Sequence, residues 1–106
     1  DLLMQVWTNL IDNAIKYSPD GSTITISGRK EGDSLAVTIH NEGEGIREEQ
    51  RSRIFEKFYQ CDASRKKDGS GLGLSIVKRI VNLLGGKIIC ISEKGKGTTM
   101  EVKVPI

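Results

Sequence analysis

Asn9 and Asn13 stand one helical turn apart in the stretch NLIDNAIKYS, with Gln5 before them and Lys16 after. That spacing of three to four lines two amides and an ammonium along one helix face. An amide oxygen is a neutral hard ligand suited to Mg²⁺, which prefers oxygen and keeps several waters while phosphates complete its shell. A lysine on the next turn can meet a phosphate as a point charge. The same stripe could equally be a solvated helix face, although asparagine is a poor helix former and its double use needs a reason.

Two glycine-punctuated stretches follow. GSGLGL places Gly69, Gly71 and Gly73 at alternate positions before a helical pattern. Glycine lets backbone amides approach an anion, and a helix start adds unpaired N–H groups and the positive end of its dipole. No Gly-Lys-Ser/Thr follows as in a Walker loop, and Leu74 or Ile76 stands where the third glycine of a dinucleotide fingerprint would fall. In HNEGEGI, Gly43 and Gly45 flank Glu44 behind a strand, and Asn41 carries an amide able both to accept from and donate to an adenine edge. Taken singly, these are also a hinge before a helix and an ordinary turn. In this order, behind an asparagine-bearing helix, they point to a nucleotide site.

The elements that must position these residues are legible in outline. Residues 1–17 carry Leu3, Val6, Leu10, Ala14 and Tyr17 at helical spacing, and Ser18-Pro19-Asp20-Gly21 stops that helix. Residues 23–28 and 35–40 alternate as strands around a turn at 30–33, which predicts a hairpin. Residues 47–59 are weakly periodic, a short helix at most, and 60–71 lack any apolar pattern, as expected of a mobile segment. Helical spacing resumes over 75–84 and ends at Gly85-Gly86. Residues 87–92 and 98–104 alternate around the glycine turn EKGKG. Hairpin-joined strands with few helices predict a two-layer α/β sandwich of the α+β type, its sheet mixed but mostly antiparallel and its helices on one face.

Composition narrows the rest. With 106 residues, 37% hydrophobic and 28% charged, the chain has the makings of one globular domain. A formal net charge of +2, without basic runs or interleaved aromatics, argues against nucleic acid as partner. No apolar run approaches a membrane span of roughly 20 residues, so the segment is expected to be soluble. Cys61 and Cys90 lack metal-ligand spacing and read as reduced thiols in a cytosolic setting. The chain opens on Asp1 inside the first helical pattern, with no evident cap or strand before it, as an excised, N-terminally truncated domain spanning 1–106 would.

Together the segments resemble the catalytic, ATP-binding domain of sensor histidine kinases, within the Bergerat-type superfamily that also holds gyrase, heat-shock chaperone and mismatch-repair ATPases. NLIDNAIKYS is similar to that family's asparagine box, HNEGEGI to its first glycine box, IFEKFYQCD to its phenylalanine box, GSGLGLSIVKRI to its second glycine box, and GKGTTMEVKVP to its closing hairpin. The resemblance implies that Asn13, with Asn9, holds Mg²⁺ against the phosphates of ATP, with Lys16 and Tyr17 along the nucleotide. It implies that Gly43 and Gly45 wall the adenine pocket, with Thr98 near the base. Phe55 and Phe58 would anchor a lid over about 60–69, and Gly69, Gly71, Leu72 and Gly73 would close it over the phosphates.

Three positions depart from that pattern. Asn41 stands where an aspartate usually reads the adenine amino group; its amide still accepts that bond, without charge assistance. Gln60 replaces a frequent phosphate-contacting arginine, which leaves Arg65, Lys66 or Lys67 as substitutes or as plain solvated charges. Leu84 replaces a frequent histidine, with little consequence expected. Hydrolytic relatives carry a glutamate where this chain has Asn9, and an amide cannot serve as general base. The resemblance therefore implies phosphoryl transfer to a histidine on a separate dimerisation domain and onward to a response regulator, in a cytoplasmic domain of a membrane-associated sensor. His40, the chain's one histidine, is expected to be structural. Two alternatives differ in kind: an anti-sigma-type serine kinase, and a non-catalytic interaction module with a decayed pocket.

Overall fold

The computed structural model describes residues 1–46, 48–51, 53–56, 73–92 and 95–106. In chain order the elements are α1 (Leu2–Tyr17), β1 (Ile24–Glu31), β2 (Ser34–Asn41), α2 (Glu48–Arg51), α3 (Gly73–Leu83), β3 (Lys87–Ser92) and β4 (Thr98–Pro105).

Helix α1 forms where the apolar spacing placed it. Its start, however, is capped: the Asp1 carboxylate accepts from Leu3 N–H at 2.9 Å, so the first residue lies just outside the helix and serves as its N-cap. At the far end the Ser18 hydroxyl donates to Ala14 O at 2.6 Å and Pro19 prevents continuation. Helix α3 closes with paired bonds from Gly86 N–H to Val81 O (2.9 Å) and Gly85 N–H to Asn82 O (3.1 Å), the Schellman arrangement.

The sheet runs β1-β2-β4-β3, and each pairing among these strands is antiparallel. The first hairpin is tighter than its sequence suggests. Glu31 pairs with Ser34 across a two-residue Gly32-Asp33 turn, so Lys30 and Glu31 belong to the strand. Their charges disguise the strand, and ion pairs offset them: Arg29 to Glu31 at 2.8 Å, Arg29 to Glu101 at 3.6 Å and Lys103 to Glu31 at 3.5 Å. The Arg29 guanidinium, which hydrogen-bonds the Glu31 carboxylate, is the main cause of that carboxyl's lowered pKa.

Register decides which side chains meet the helices. Pairing of Ile39 with Met100, Val37 with Val102 and Ile88 with Val102 puts these residues on one face. There they join Val6, Leu10 and Ala14 of α1, Val77, Ile80 and Val81 of α3, and Ile54 in one core. Burying each Leu, Ile or Val stabilises the fold by roughly 1.5–3 kcal/mol before entropy is counted. The opposite face, with Ser27, Thr38, His40, Thr99 and Lys103, has no covering layer among the described residues. This is the two-layer sandwich the strand and helix order predicted.

Candidate functional site

Antiparallel register sets Asn41, the last residue of β2, opposite Thr98, the first of β4, with both side chains on the helix face. The C-terminal end of α1 lies across this end of the sheet. A cleft of about 280 Å³ opens between them, and its walls are Asn13 and Tyr17 of α1, Ser18 and Pro19 of the turn, Asn41, Thr98, and the loop Gly43, Glu44, Gly45 and Ile46. Asn41 and Thr98 are only 5% and 6% exposed, so their polar atoms face the cleft or the core and not bulk water.

The loop is held from two sides. Gly43 has φ +145°, and a side chain there would put its Cβ 2.9 Å from Tyr17 O, so the loop can pack onto the end of α1 only as glycine. From the other side, Gly95 N–H donates to Glu44 O at 2.7 Å and Ile46 N–H to the Ser92 hydroxyl at 2.6 Å. Gly97, at φ +84°, presses against Asn41 O and lies 3.2 Å, measured from its would-be Cβ, from Glu42 Cα. The β3–β4 hairpin thus clamps the cleft loop.

Asn9 and Asn13 share the helix face, but only Asn13 lines the cleft. Asn9 meets the start of α3: its Oδ1 lies 3.6 Å from where a Cβ on Gly73 would sit. The helix begins at Gly73, two residues before its apolar pattern does, because glycine hides helical character in a sequence. With Asn13 on the cleft wall and Asn9 beside Gly73, two neutral amides line α1 from the cleft toward the start of α3. Among the described residues no three acidic, histidine or cysteine side chains converge. Such a donor set fits Mg²⁺ held by few protein oxygens, with waters and phosphates supplying the rest.

Of the residues singled out in the sequence, Asn13, Tyr17, Asn41, Gly43, Gly45 and Thr98 converge on the cleft. Lys16 extends its ammonium over the Tyr17 ring at 5.7 Å from the centroid. Phe55 packs against the core outside the cleft walls, with the Lys78 ammonium 5.5 Å from its ring centroid. Phe58, Gly69, Gly71, Leu72, Gln60 and the expected lid lie outside the described residues. His40 points to the uncovered face, where Nδ1 meets Thr99 Oγ1 at 2.7 Å, as a structural histidine does. Ser92 escaped notice, although a polar residue in the inward series Ile88, Cys90, Ser92 was the available signal.

A loop-walled cleft at one end of an antiparallel sheet, with amides on the facing helix and a second helix starting beside them, is a nucleotide-binding arrangement of the Bergerat type. Residues 1–106 match the profile of the family described as Histidine kinase-, DNA gyrase B-, and HSP90-like ATPase, and the chain belongs to that family. It is 38% identical over 106 residues to the sensor-like histidine kinase SenX3 of Mycolicibacterium smegmatis, covering 98% of this chain and 28% of that protein. It is 40% identical over 109 residues to the sensor histidine kinase WalK of Bacillus subtilis, covering 99% and 18%. Among solved structures it superposes on a mycobacterial sensor histidine kinase, MprB, with TM-score 0.89 and 30% identity over 98% of this chain and 72% of that one. Full-length ShkA, solved in complex with AMPPNP, gives 0.80 and 32% over 98% and 21%. The chain thus spans less than a third of the curated relatives named here and corresponds to their histidine kinase ATP-binding domain. Among the described residues no helix is long and apolar enough to cross a membrane.

Proposed function

We propose that this domain binds Mg-ATP in the Asn41–Thr98 cleft and donates the γ-phosphoryl group to a histidine on a separate dimerisation domain, from which it passes to a response regulator. The observation that carries the reading is the convergence of Asn13, Tyr17, Asn41, Gly43, Gly45 and Thr98 on one cleft, beside the start of α3. The AMPPNP complex of the related ShkA supports a nucleotide of this type.

In this reading the base enters between the 43–45 loop and the Asn41–Thr98 pair, and the phosphates run toward Asn13, Asn9 and the N-terminus of α3. Asn13 and Asn9 hold the metal through their amide oxygens, and Lys16 adds positive charge along the nucleotide. The bound Mg²⁺ supplies charge neutralisation on the phosphates, the main demand of phosphoryl transfer. Asn9 offers no proton acceptor for water, so the phosphoryl group is kept for the acceptor imidazole. That imidazole must come from outside, since His40 lies on the uncovered sheet face, tied to Thr99. Without that acceptor, residues 1–106 phosphorylate nothing by themselves.

Calorimetric titration with a non-hydrolysable ATP analogue, with and without Mg²⁺, tests the reading. Magnesium-dependent binding that disappears in Asn13→Ala is expected; a folded domain that binds no nucleotide would leave a docking module in its place.

A further inference from the structure

Ser92 carries no role in the nucleotide reading, yet its hydroxyl joins three segments that build the cleft. A serine hydroxyl has one proton and two acceptor lone pairs. Its proton goes to Gly97 O at 3.0 Å, and Ile46 N–H donates to it at 2.6 Å. Its third partner is Thr98 Oγ1 at 3.1 Å. With the serine proton already placed, this last bond must run from Thr98 to Ser92. The Thr98 hydroxyl then has no proton left for the cleft and presents lone pairs alone.

Asn41, cross-strand from Thr98, ends in the same state by another route. Its Nδ2 donates to Glu42 O at 3.0 Å, which leaves Oδ1, a lone-pair acceptor, as the amide's group on the cleft wall. Two nearly buried neighbours on the cleft wall are thus both acceptors.

We propose that Ser92 is a positioning residue for nucleobase choice: by holding the Thr98 proton it keeps the Asn41–Thr98 pair an all-acceptor edge, which selects a purine with a 6-amino group over one with a 6-oxo group. The inference rests on the nucleotide reading above and deepens it. A 6-amino group brings two N–H donors to this edge. A 6-oxopurine puts carbonyl lone pairs where the amino donors stood and offers only its N1–H in their place, so one of the two buried acceptors goes unsatisfied. Ser92 itself touches no nucleotide atom in this arrangement.

The test compares Kd for ATP and for ITP, which carries a 6-oxo group, in the presence of Mg²⁺ by calorimetry. The wild type should favour ATP. In Ser92→Ala the Thr98 hydroxyl is free to turn its proton toward the cleft, so the ITP/ATP ratio of Kd should fall by about fivefold to tenfold, the scale of one hydrogen bond. Ser92→Thr should restore the wild-type ratio. Thr98→Val, which removes one acceptor, should lower the ratio as well, and it decides the matter if Ser92→Ala does not fold. A purely structural Ser92 would weaken both nucleotides alike; an unchanged ratio in either variant, or a wild type that binds ATP and ITP equally, overturns the inference and leaves the nucleotide reading standing. A folded wild type that binds neither nucleotide overturns both.

Discussion

Among the described residues, two hollows flank α1, and they differ in the way that matters for function. The Asn41–Thr98 cleft measures about 280 Å³. The second, a groove of about 350 Å³, lies between Trp7 and Ile11 of α1 and the strand residues Ile26, Gly28, Leu35, Val37 and Ile39. By size the groove would be chosen first. It is walled almost wholly by apolar side chains, and Ile26 is left 53% exposed on the helix side of the edge strand. The cleft instead gathers polar groups from α1, β2 and β4, and of these Asn41 and Thr98 still carry lone pairs for a ligand. Unspent polar valence in a nearly buried wall, more than volume, marks a site for a polar ligand.

The comparison can be broken at four points. Leu10 is 1% exposed and belongs to the core beneath α1, the helix that walls both hollows. Leu10→Ala should cost about 2–5 kcal/mol of stability, seen as a lower denaturant midpoint, and should loosen both regions together. A smaller loss would mean the helix is held by other contacts than its apolar stripe. Asn13→Ala should weaken Mg-dependent nucleotide binding by more than about tenfold, roughly 1.4 kcal/mol, while unfolding of the free domain shifts by less than about 0.5 kcal/mol. Equal loss in both measurements would make Asn13 a structural residue.

Ile26→Thr, which keeps a β-branched side chain on the strand, should leave nucleotide affinity within about twofold of wild type. A larger change would show the groove and the cleft to be coupled. The smallest effect concerns acid. The folded-state pKa of Glu31 is depressed, chiefly by its hydrogen bond from Arg29, so its contribution is present above the ordinary carboxylate pKa and is lost as pH falls through the lowered one. Because the group is solvent-facing, Glu31→Gln should alter the acid limb of a melting-temperature profile only slightly, and nucleotide affinity not at all.

Much of this arrangement could be read before any coordinates. The apolar stripe of α1 was visible because Val6, Leu10 and Ala14 repeat at helical spacing, and those three are its buried residues. Strands β3 and β4 were visible because their burial alternates as their sequence does. What misled was local chemistry overridden by tertiary pairing. The charged end of β1 reads as turn until Glu101 and Lys103 stand beside Arg29 and Glu31, and Asp1 reads as interior helix until its carboxylate is seen over Leu3 N–H.

The site divides along the same line. Glycine spacing and the two asparagines are chemical identities, and identity with periodicity is enough to announce a phosphate-binding face on a helix. The direction of a hydroxyl proton is not such a property. That Ser92 bonds Ile46, Gly97 and Thr98 at once, and that Asn41 spends its amide N–H₂ on Glu42, depends on residues 46 positions apart being brought within hydrogen-bonding distance. Periodicity describes neighbours along one element, whereas satisfying a buried polar group is a condition on every element that surrounds it, and it is met only when the sheet register and the clamped loop are both in place.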